Sequence, residues 1–575
     1  MKRQLGTVAI AATILSACTS DTDNPEDAGP GAPTDTSDVA SATTEEHGCD
    51  PELHQKLAAW AAAGFSGSFV FSTGGELECA AAFGLADREP DVPNTTDTVF
   101  GIGSVSKAFT AAAIIDLVDA GELSLEDRAG DVLPDLDGPV AAATIHQLLL
   151  HVSGLTGGHS SGDHQPLGRD EAVAAISELE QAFEPGSDYL YSNAGYTLLA
   201  LIVDEVTDAG YRDYMANQIL RLPSGQIAGG FWDGEPAAPG ARAVGLLDEG
   251  STGHMGDFHG PHWALSGNGD LAMTVPDLAS WTYALFTGGI VAPGSVHLID
   301  EPGFDHGDGM AETPGWVAVD ASLLGVPALL SAGGGGDIGH DVVVAWLPDS
   351  ESVLAIASNT PDISAEELIQ AVGPAIATGE SVPVPDHPAG DTDPAELEAA
   401  VGTYRLETGG SLAVATRDGK LVISATGVDA VAAVFPMPPG IPTEAVAEHE
   451  DAVLALLAGD TQEGREERAE IEADFGPVDR IELAGTIYAG ELRTYVTVTT
   501  ESGPIALWYA LNEHGGIEAV DEAKEPPAAP FVPVGDDSFR PDDPTGRGPD
   551  VTVTFDGERM TLTGPAGSTN ALKAG

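Results

Sequence analysis

The stretch Phe100-Gly101-Ile102-Gly103-Ser104-Val105-Ser106-Lys107-Ala108-Phe109-Thr110 decides how this chain is read. Apolar residues recur at helical spacing from Ser104 to Ala120, and Gly121 follows as a C-terminal cap, so a helix over 104–120 is expected. Ser104 then stands at the helix start. Backbone N–H groups are free there and the dipole favours negative charge. An oxyanion formed beside this hydroxyl would find its donors in place. Lys107 comes three residues on, over the same face and one turn away. An amine held there and desolvated can hydrogen-bond the hydroxyl and help to remove its proton. Ser-x-x-Lys alone is a weak pattern, equally readable as an N-cap serine beside a solvated lysine. Here it gains weight, because the chain has six lysines and a single Ser-x-x-Lys.

A second signal lies at Tyr191-Ser192-Asn193, inside Phe183-Glu-Pro-Gly-Ser-Asp-Tyr-Leu-Tyr-Ser-Asn-Ala-Gly-Tyr196, in a loop before a helix. A phenol near an ammonium loses its proton more easily and can act as a base. An asparagine side chain can donate to a substrate carbonyl and accept from a lysine. The bland alternative is a turn whose Tyr packs and whose Asn caps.

Around these signals the element types alternate. Pro51 to Ala63 reads as a helix. Ser68 to Phe71 and Leu77 to Phe83 flank Thr73-Gly74-Gly75-Glu76 as a β-hairpin. Thr144 to His151 and Ala194 to Asp208 carry helical spacing, Val342 to Leu347 and Val353 to Ala357 read as strands, and Ser364 to Ala377 as a closing helix. Strands at both ends with helices between predict an α+β fold: an antiparallel sheet flanked by helices plus an all-α region.

With both motifs in place, residues 49–380 resemble the penicillin-recognising serine hydrolases of the β-lactamase-related superfamily, which includes class C β-lactamases, D-alanyl-D-alanine carboxypeptidases, D-aminopeptidases and esterases. The segment from Phe100 to Thr110 resembles the family's nucleophile segment. Leu123 to Leu136 resembles its Leu-Ser-Leu-Glu-Asp continuation, Leu148-Leu-Leu-His-Val-Ser-Gly-Leu155 the start of the next helical layer, and Gly269-Asp-Leu-Ala-Met-Thr-Val-Pro-Asp-Leu278 a later helix entry. The resemblance implies Ser104 as acyl-forming nucleophile, Lys107 and Tyr191 as the proton-transfer pair, and Asn193 as the group that orients the substrate amide and Lys107. No metal and no cofactor is implied. The family's third motif, Lys-Thr-Gly or His-x-Gly, falls on Leu330-Ser-Ala-Gly-Gly-Gly-Gly-Asp-Ile-Gly-His340. Its basic position lands on Gly333 or Gly334, so the cation that would hold a substrate carboxylate is missing. The run Gly333, Gly334, Gly335 can still approach the substrate closely and supply an oxyanion N–H. That departure weighs against β-lactamase and D,D-carboxypeptidase activity more than against esterase or amidase action.

Histidine chemistry is weighed and set aside. His151 near a serine invites a Ser-His-Asp reading, but its context fits a buried turn held by hydrogen bonds. The His254, His259 and His262 cluster matches no zinc spacing and reads as a polar rim loop, as does Thr156 to Asp170.

The two ends of the chain are of other kinds. Lys2 and Arg3, an apolar run and Leu15-Ser16-Ala17-Cys18 read as a secretory signal over 1–17 with a bacterial lipobox. That implies lipidation of Cys18 and an extracytoplasmic protein anchored to the cell membrane. Residues 18–48 lack large apolar side chains and read as a disordered acidic tether. Cys49 and Cys79 are the remaining thiols; export favours a bond between them, and two buried thiols are the alternative. A linker spans 381–394. Residues 395–575 carry alternating segments at Gly410 to Ala425, Tyr495 to Thr500, Ala506 to Leu511 and Val551 to Phe555, with a helical interruption at Thr443 to Ala458 and Glu463 to Ala473. This part resembles the C-terminal, lipocalin-like β-barrel that follows the hydrolase domain in some family members.

Composition narrows the partners. Of 575 residues, 91 are acidic and 22 basic, a formal charge of −69. That argues against nucleic acid and an anionic membrane surface as electrostatic partners, and it motivates the hypothesis that the protein works in high salt. Outside the first 17 residues no apolar run approaches the ~20 needed to span a bilayer. Three cysteines are too few for a disulfide scaffold. Two readings compete. One is a serine hydrolase acting through an acyl-enzyme on an ester, D-amino-acid amide or peptidoglycan-derived substrate, with β-lactamase as a narrower variant. The other is a non-catalytic envelope protein that binds peptidoglycan or a partner.

Overall fold

A computed structural model describes residues 46–575, apart from 90, 157–165, 248–249, 253–261, 308, 336–337, 386–393, 418, 439, 490, 512–514, 524–525, 536–537, 547 and 575. The signal segment, Cys18, nearly all of the tether, His254, His259 and most of the expected 156–170 rim loop lie outside the described residues. The chain divides into two compact units, one ending at Val384 and the other comprising 385–575.

The first unit is built on a nine-stranded antiparallel sheet. The hairpin Gly67–Thr73 and Glu76–Phe83 turns at Gly74 and Gly75, whose φ values of 58° and 81° are the left-handed pair that a two-residue hairpin loop demands. Gly67–Thr73 pairs along its whole length with Ser352–Ser358, which joins the two ends of the unit. Next come His340–Leu347, the glycine-bearing strand Ala328–Gly335, Trp316–Val319 and Met310–Thr313. Ser352–Ser358 is buried at every position, because helices cover both faces of the sheet at that point. Val275–Phe286 packs on it from one side and Ala365–Thr378 from the other. The latter helix starts at Ser364 in a capping box with Glu367. Cys49 and Cys79 form a disulfide beside a two-residue edge strand at Glu46–His47.

The helical layer surrounds Ser106–Ala120. Eleven of this helix's fifteen residues are buried, so it is apolar all round and runs through the core instead of lying on it. Gly121 ends it with φ 75°, as its sequence predicts. Its start differs from expectation: a 3-10 turn over Gly103–Val105 precedes the α-helix, and Ser104 sits in that turn.

The second unit contains a closed barrel of eight strands. Two of the expected barrel segments lie elsewhere. Leu492–Thr500 and Gly503–Leu511 belong to a separate four-stranded sheet, Val478 to Glu522, packed under helices Thr443–Leu457 and Gln462–Phe475 with its own apolar core. This whole α+β block is inserted between barrel strands Lys420–Thr426 and Ala528–Gly535. Alternation reports one buried face and not which sheet a strand joins, so the sequence expectation merged the two.

Candidate active site

Ser104 is placed by contacts on both sides of its turn. Gly103 takes φ 50°, and a Cβ there would come within 3.1 Å of the Gly333–Gly334 peptide. Gly101 N donates to His340 Nδ1 at 3.1 Å, tying the segment before the serine to the sheet. Ser106 Oγ accepts from Leu271 N at 3.2 Å, and Thr110 Oγ1 donates to the carbonyl of Gly267 at 2.8 Å. These bonds fix the turn that carries Ser104 without using its hydroxyl.

That hydroxyl is the meeting point of the two sequence motifs. Lys107 Nζ lies 2.9 Å from Ser104 Oγ, and the Tyr191 hydroxyl also lies 2.9 Å from it. Lys107 is 4% exposed, so its amine is desolvated as the chemistry requires. Nζ also donates to Asn193 Oδ1 at 2.8 Å and to the Asn268 carbonyl at 3.2 Å. Asn193 is the first residue of helix Asn193–Val206, whose N-cap Ser192 accepts from Gly195 N. Tyr191 and Asn193 are therefore held at one helix end, two residues apart, with both side chains turned to Lys107 and Ser104.

His151 supports this arrangement. Its ring stacks on Tyr191 with centroids 4.4 Å apart, and its Nδ1 accepts from Ser192 N at 3.0 Å. Burial, and then the neighbouring Lys107 charge, hold its pKa well below 6.5, so the ring is the neutral acceptor this bond needs. Among the described residues no hydrogen bond links it to Ser104. His340 is likewise buried, and burial lowers its pKa to about 4.

The opposite wall is the glycine strand. A Cβ on Gly333 would lie 2.3 Å from Ser104 N and 2.6 Å from Val105 N; one on Gly334 would lie 2.4 Å from Asp341 Cα. Neither Gly333 nor Gly334 therefore has room for a side chain in this strand. Ser331 and Ala332 follow along the same wall.

Several residues of the cleft escaped the sequence. Asn268 stands in Gly267-Asn268-Gly269 and its carbonyl holds Lys107. The buried Tyr196 ring lies 5.8 Å from Lys107 Nζ, and its hydroxyl donates to the Leu149 carbonyl. Glu312 lines the cleft at 6% exposure. His306 Nε2 lies 3.0 Å from Glu312 Oε1, and the phenol of Tyr189 also bonds this carboxylate. Burial raises the Glu312 pKa, while those two bonds oppose the rise. An acid on a short strand of so acidic a chain carries no mark that sets it apart. In the sequence His340 marks only the end of the glycine run. Among the described residues no cluster of three or more His, Cys, Asp or Glu could hold a metal ion.

An antiparallel sheet faced by helices, with serine, lysine and tyrosine converging beside its glycine strand, defines a serine-hydrolase type of site. The Beta-lactamase family matches residues 58–373, more than half of the chain, and the protein belongs to that family. It is similar to penicillin-binding protein 4* of Bacillus subtilis (strain 168), 24% identical over 391 residues that cover 63% of this chain and 84% of that one. It is also similar to penicillin-binding protein 4 of Amycolatopsis lactamdurans, 36% identical over 147 residues, 24% of this chain and 38% of that one. An octameric penicillin-binding protein homologue from Pyrococcus abyssi shares the fold, with TM-score 0.53 and 17% identity over 90% of this chain and 99% of that structure.

Proposed function

We propose that the protein hydrolyses an ester or amide through an acyl-enzyme on Ser104. The observation that carries this reading is the placement of Lys107 Nζ and the Tyr191 hydroxyl, each 2.9 Å from one serine oxygen. For the Ser104 hydroxyl to donate its own proton, one of those two neighbours must be in its basic form. Ser104 Oγ then attacks the substrate carbonyl carbon while its proton passes to that base. The carbonyl π electrons move to oxygen, where the Ser104 N–H and an N–H of the Gly333–Gly335 run stabilise the charge. Collapse expels the alcohol or amine, which takes a proton from the Lys107–Tyr191 pair. Water gives up a proton to the same pair, attacks the acyl-enzyme, and regenerates Ser104 with release of the acid. Asn193 orients the substrate amide and Lys107.

The substrate class is an ester, a D-amino-acid amide or a peptidoglycan-derived amide. Gly333 and Gly334 have no room for a side chain, and Ser331 and Ala332 beside them are uncharged, so this wall offers no cation to grip a β-lactam or terminal carboxylate and β-lactamase action is the weakest member of this set. The signal-like segment 1–17 and Cys18 support a location outside the cytoplasm on a lipid anchor, and the Cys49–Cys79 bond suits an oxidising compartment. No helix among the described residues is long and apolar enough to cross a membrane.

A serine-directed fluorophosphonate in high salt, read by intact mass, tests the nucleophile. One adduct on the wild type and none on Ser104→Ala is the expected result. A folded wild type that takes no adduct would instead favour an envelope protein that binds peptidoglycan or a partner without turnover.

A further inference from the structure

The cleft wall beside Ser104 carries a chemistry the mechanism does not use. Glu312 sits there as a buried carboxylate, among Tyr189, Tyr191, Tyr196 and Trp316. Resting on the acyl-enzyme reading above, we propose that this wall is a cation-recognising subsite, in which Glu312 and the four aromatic rings hold a protonated amine of the substrate.

Three observations carry the proposal. A carboxylate has about four acceptor positions. His306 and Tyr189 are two donors to Glu312, so it can take a third. Removing a carboxylate from water is costly unless charge or hydrogen bonds compensate, and a bound ammonium supplies both. Ring faces attract ammonium groups within about 6 Å, and this cleft already shows it: Lys107 Nζ lies 4.8 Å from the Tyr191 ring centre and 5.8 Å from that of Tyr196. The third observation is the opposite wall. Gly333 and Gly334 have no room for a side chain, and Ser331 and Ala332, which line the cleft on the same strand, are uncharged. Of the charged groups lining the cleft, Lys107 is committed to Ser104, Asn193 and Asn268, and Glu312 is left to set the sign of the ligand. Recognition has thus reversed from carboxylate to ammonium while the reacting groups stayed.

Protection against fluorophosphonate labelling reads occupancy of the cleft without requiring turnover. Two ligand pairs differ only by exchange of ammonium for methyl: D-alaninamide with isobutyramide, and N-acetyl-lysinamide with the amide of N-acetyl-2-aminoheptanoic acid. In the wild type the ammonium member of at least one pair should half-protect at a concentration about ten-fold lower or less. In Glu312→Gln the ratio within that pair should fall close to one; taking a ratio cancels any change in basal labelling. Equal protection within both pairs in the wild type, or a preference that survives in Glu312→Gln, would overturn the proposal. The wild-type arm needs no variant, so poor folding of Glu312→Gln does not shield the idea. Calorimetric titration of the same four ligands into Ser104→Ala separates the two readings. A wild type that takes no probe defeats the acyl-enzyme, whereas ammonium preference in the titration still decides the role of Glu312.

Discussion

The two walls of the cleft are built on opposite principles. The helix wall is dense with side-chain bonds: one serine oxygen, one amine, one phenol and one amide lie within 2.9 Å of their neighbours, locked by His151 and Ser192 behind them. The strand wall is bare backbone at Gly333 and Gly334, and Gly333 is pressed so close to Ser104 N that a single methyl does not fit. The first wall fixes how a bond is broken. The second fixes what can be held. A chain can therefore keep the reaction of its family and alter the substrate by changing one wall alone.

Breaking the helix wall should have the largest effect. Ser104→Ala should abolish probe labelling and turnover, and Lys107→Ala should lower kcat/KM by about 10³-fold or more, as removal of members of such a unit does. Steady-state kinetics on a p-nitrophenyl ester checks both. Breaking the strand wall comes next. Gly333→Ala must push the strand away from Ser104 N, and displacement of about 1 Å can cost about 100-fold in rate, so labelling should slow by that order. Overpacking should also lower stability by about 1–3 kcal/mol. An alanine variant that labels at the wild-type rate would show that the close approach has no catalytic meaning.

The remaining predictions concern what holds the walls in place. The Cys49–Cys79 bond closes a separation of 30 residues. Replacing both by serine should cost about 3–4 kcal/mol in the chain-entropy account, read by denaturant unfolding. His340, which anchors Gly101, has a folded pKa lowered from 6.5 to about 4 by burial. Between those values the unfolded state binds the extra proton. The stability this neutral ring allows is present above pH 6.5 and is lost as pH falls toward 4, by about 3 kcal/mol at 1.36 kcal/mol per unit. His340→Asn should flatten that part of the pH–stability curve. Least specific is salt. With 91 acidic and 22 basic residues the surface repels itself, and the melting temperature should rise from low to molar salt as cations screen the charge. A flat or falling series would remove the high-salt hypothesis.

What was legible in the sequence follows the same division between the walls. Ser104, Lys107, Tyr191 and Asn193 were readable because short motifs fix them relative to a helix start, and the structure brings all four together. The glycine run was legible but not its close approach to the serine, since the clash of a Gly333 Cβ with Ser104 N is a contact across 229 residues of chain. Glu312 and His306 were invisible for a related reason. Glu312 lies on a short strand and His306 just after another, in an acidic chain, and only the sheet order brings those strands to the cleft. In the second unit the alternating pattern of Leu492–Thr500 identified a strand, yet nothing local distinguishes the barrel from the four-stranded sheet inserted in it. Long-range register decides that, and a local pattern carries no record of it.

The central claim is a covalent acyl group on Ser104. Acid quench during steady-state turnover of a p-nitrophenyl ester, followed by peptide mass mapping, tests it directly. The account predicts the mass of one acyl group on the peptide that contains Ser104, and a larger fraction of it in Tyr191→Phe, where the water step is slowed. Turnover by the wild type with an unmodified Ser104 peptide in both proteins would contradict it.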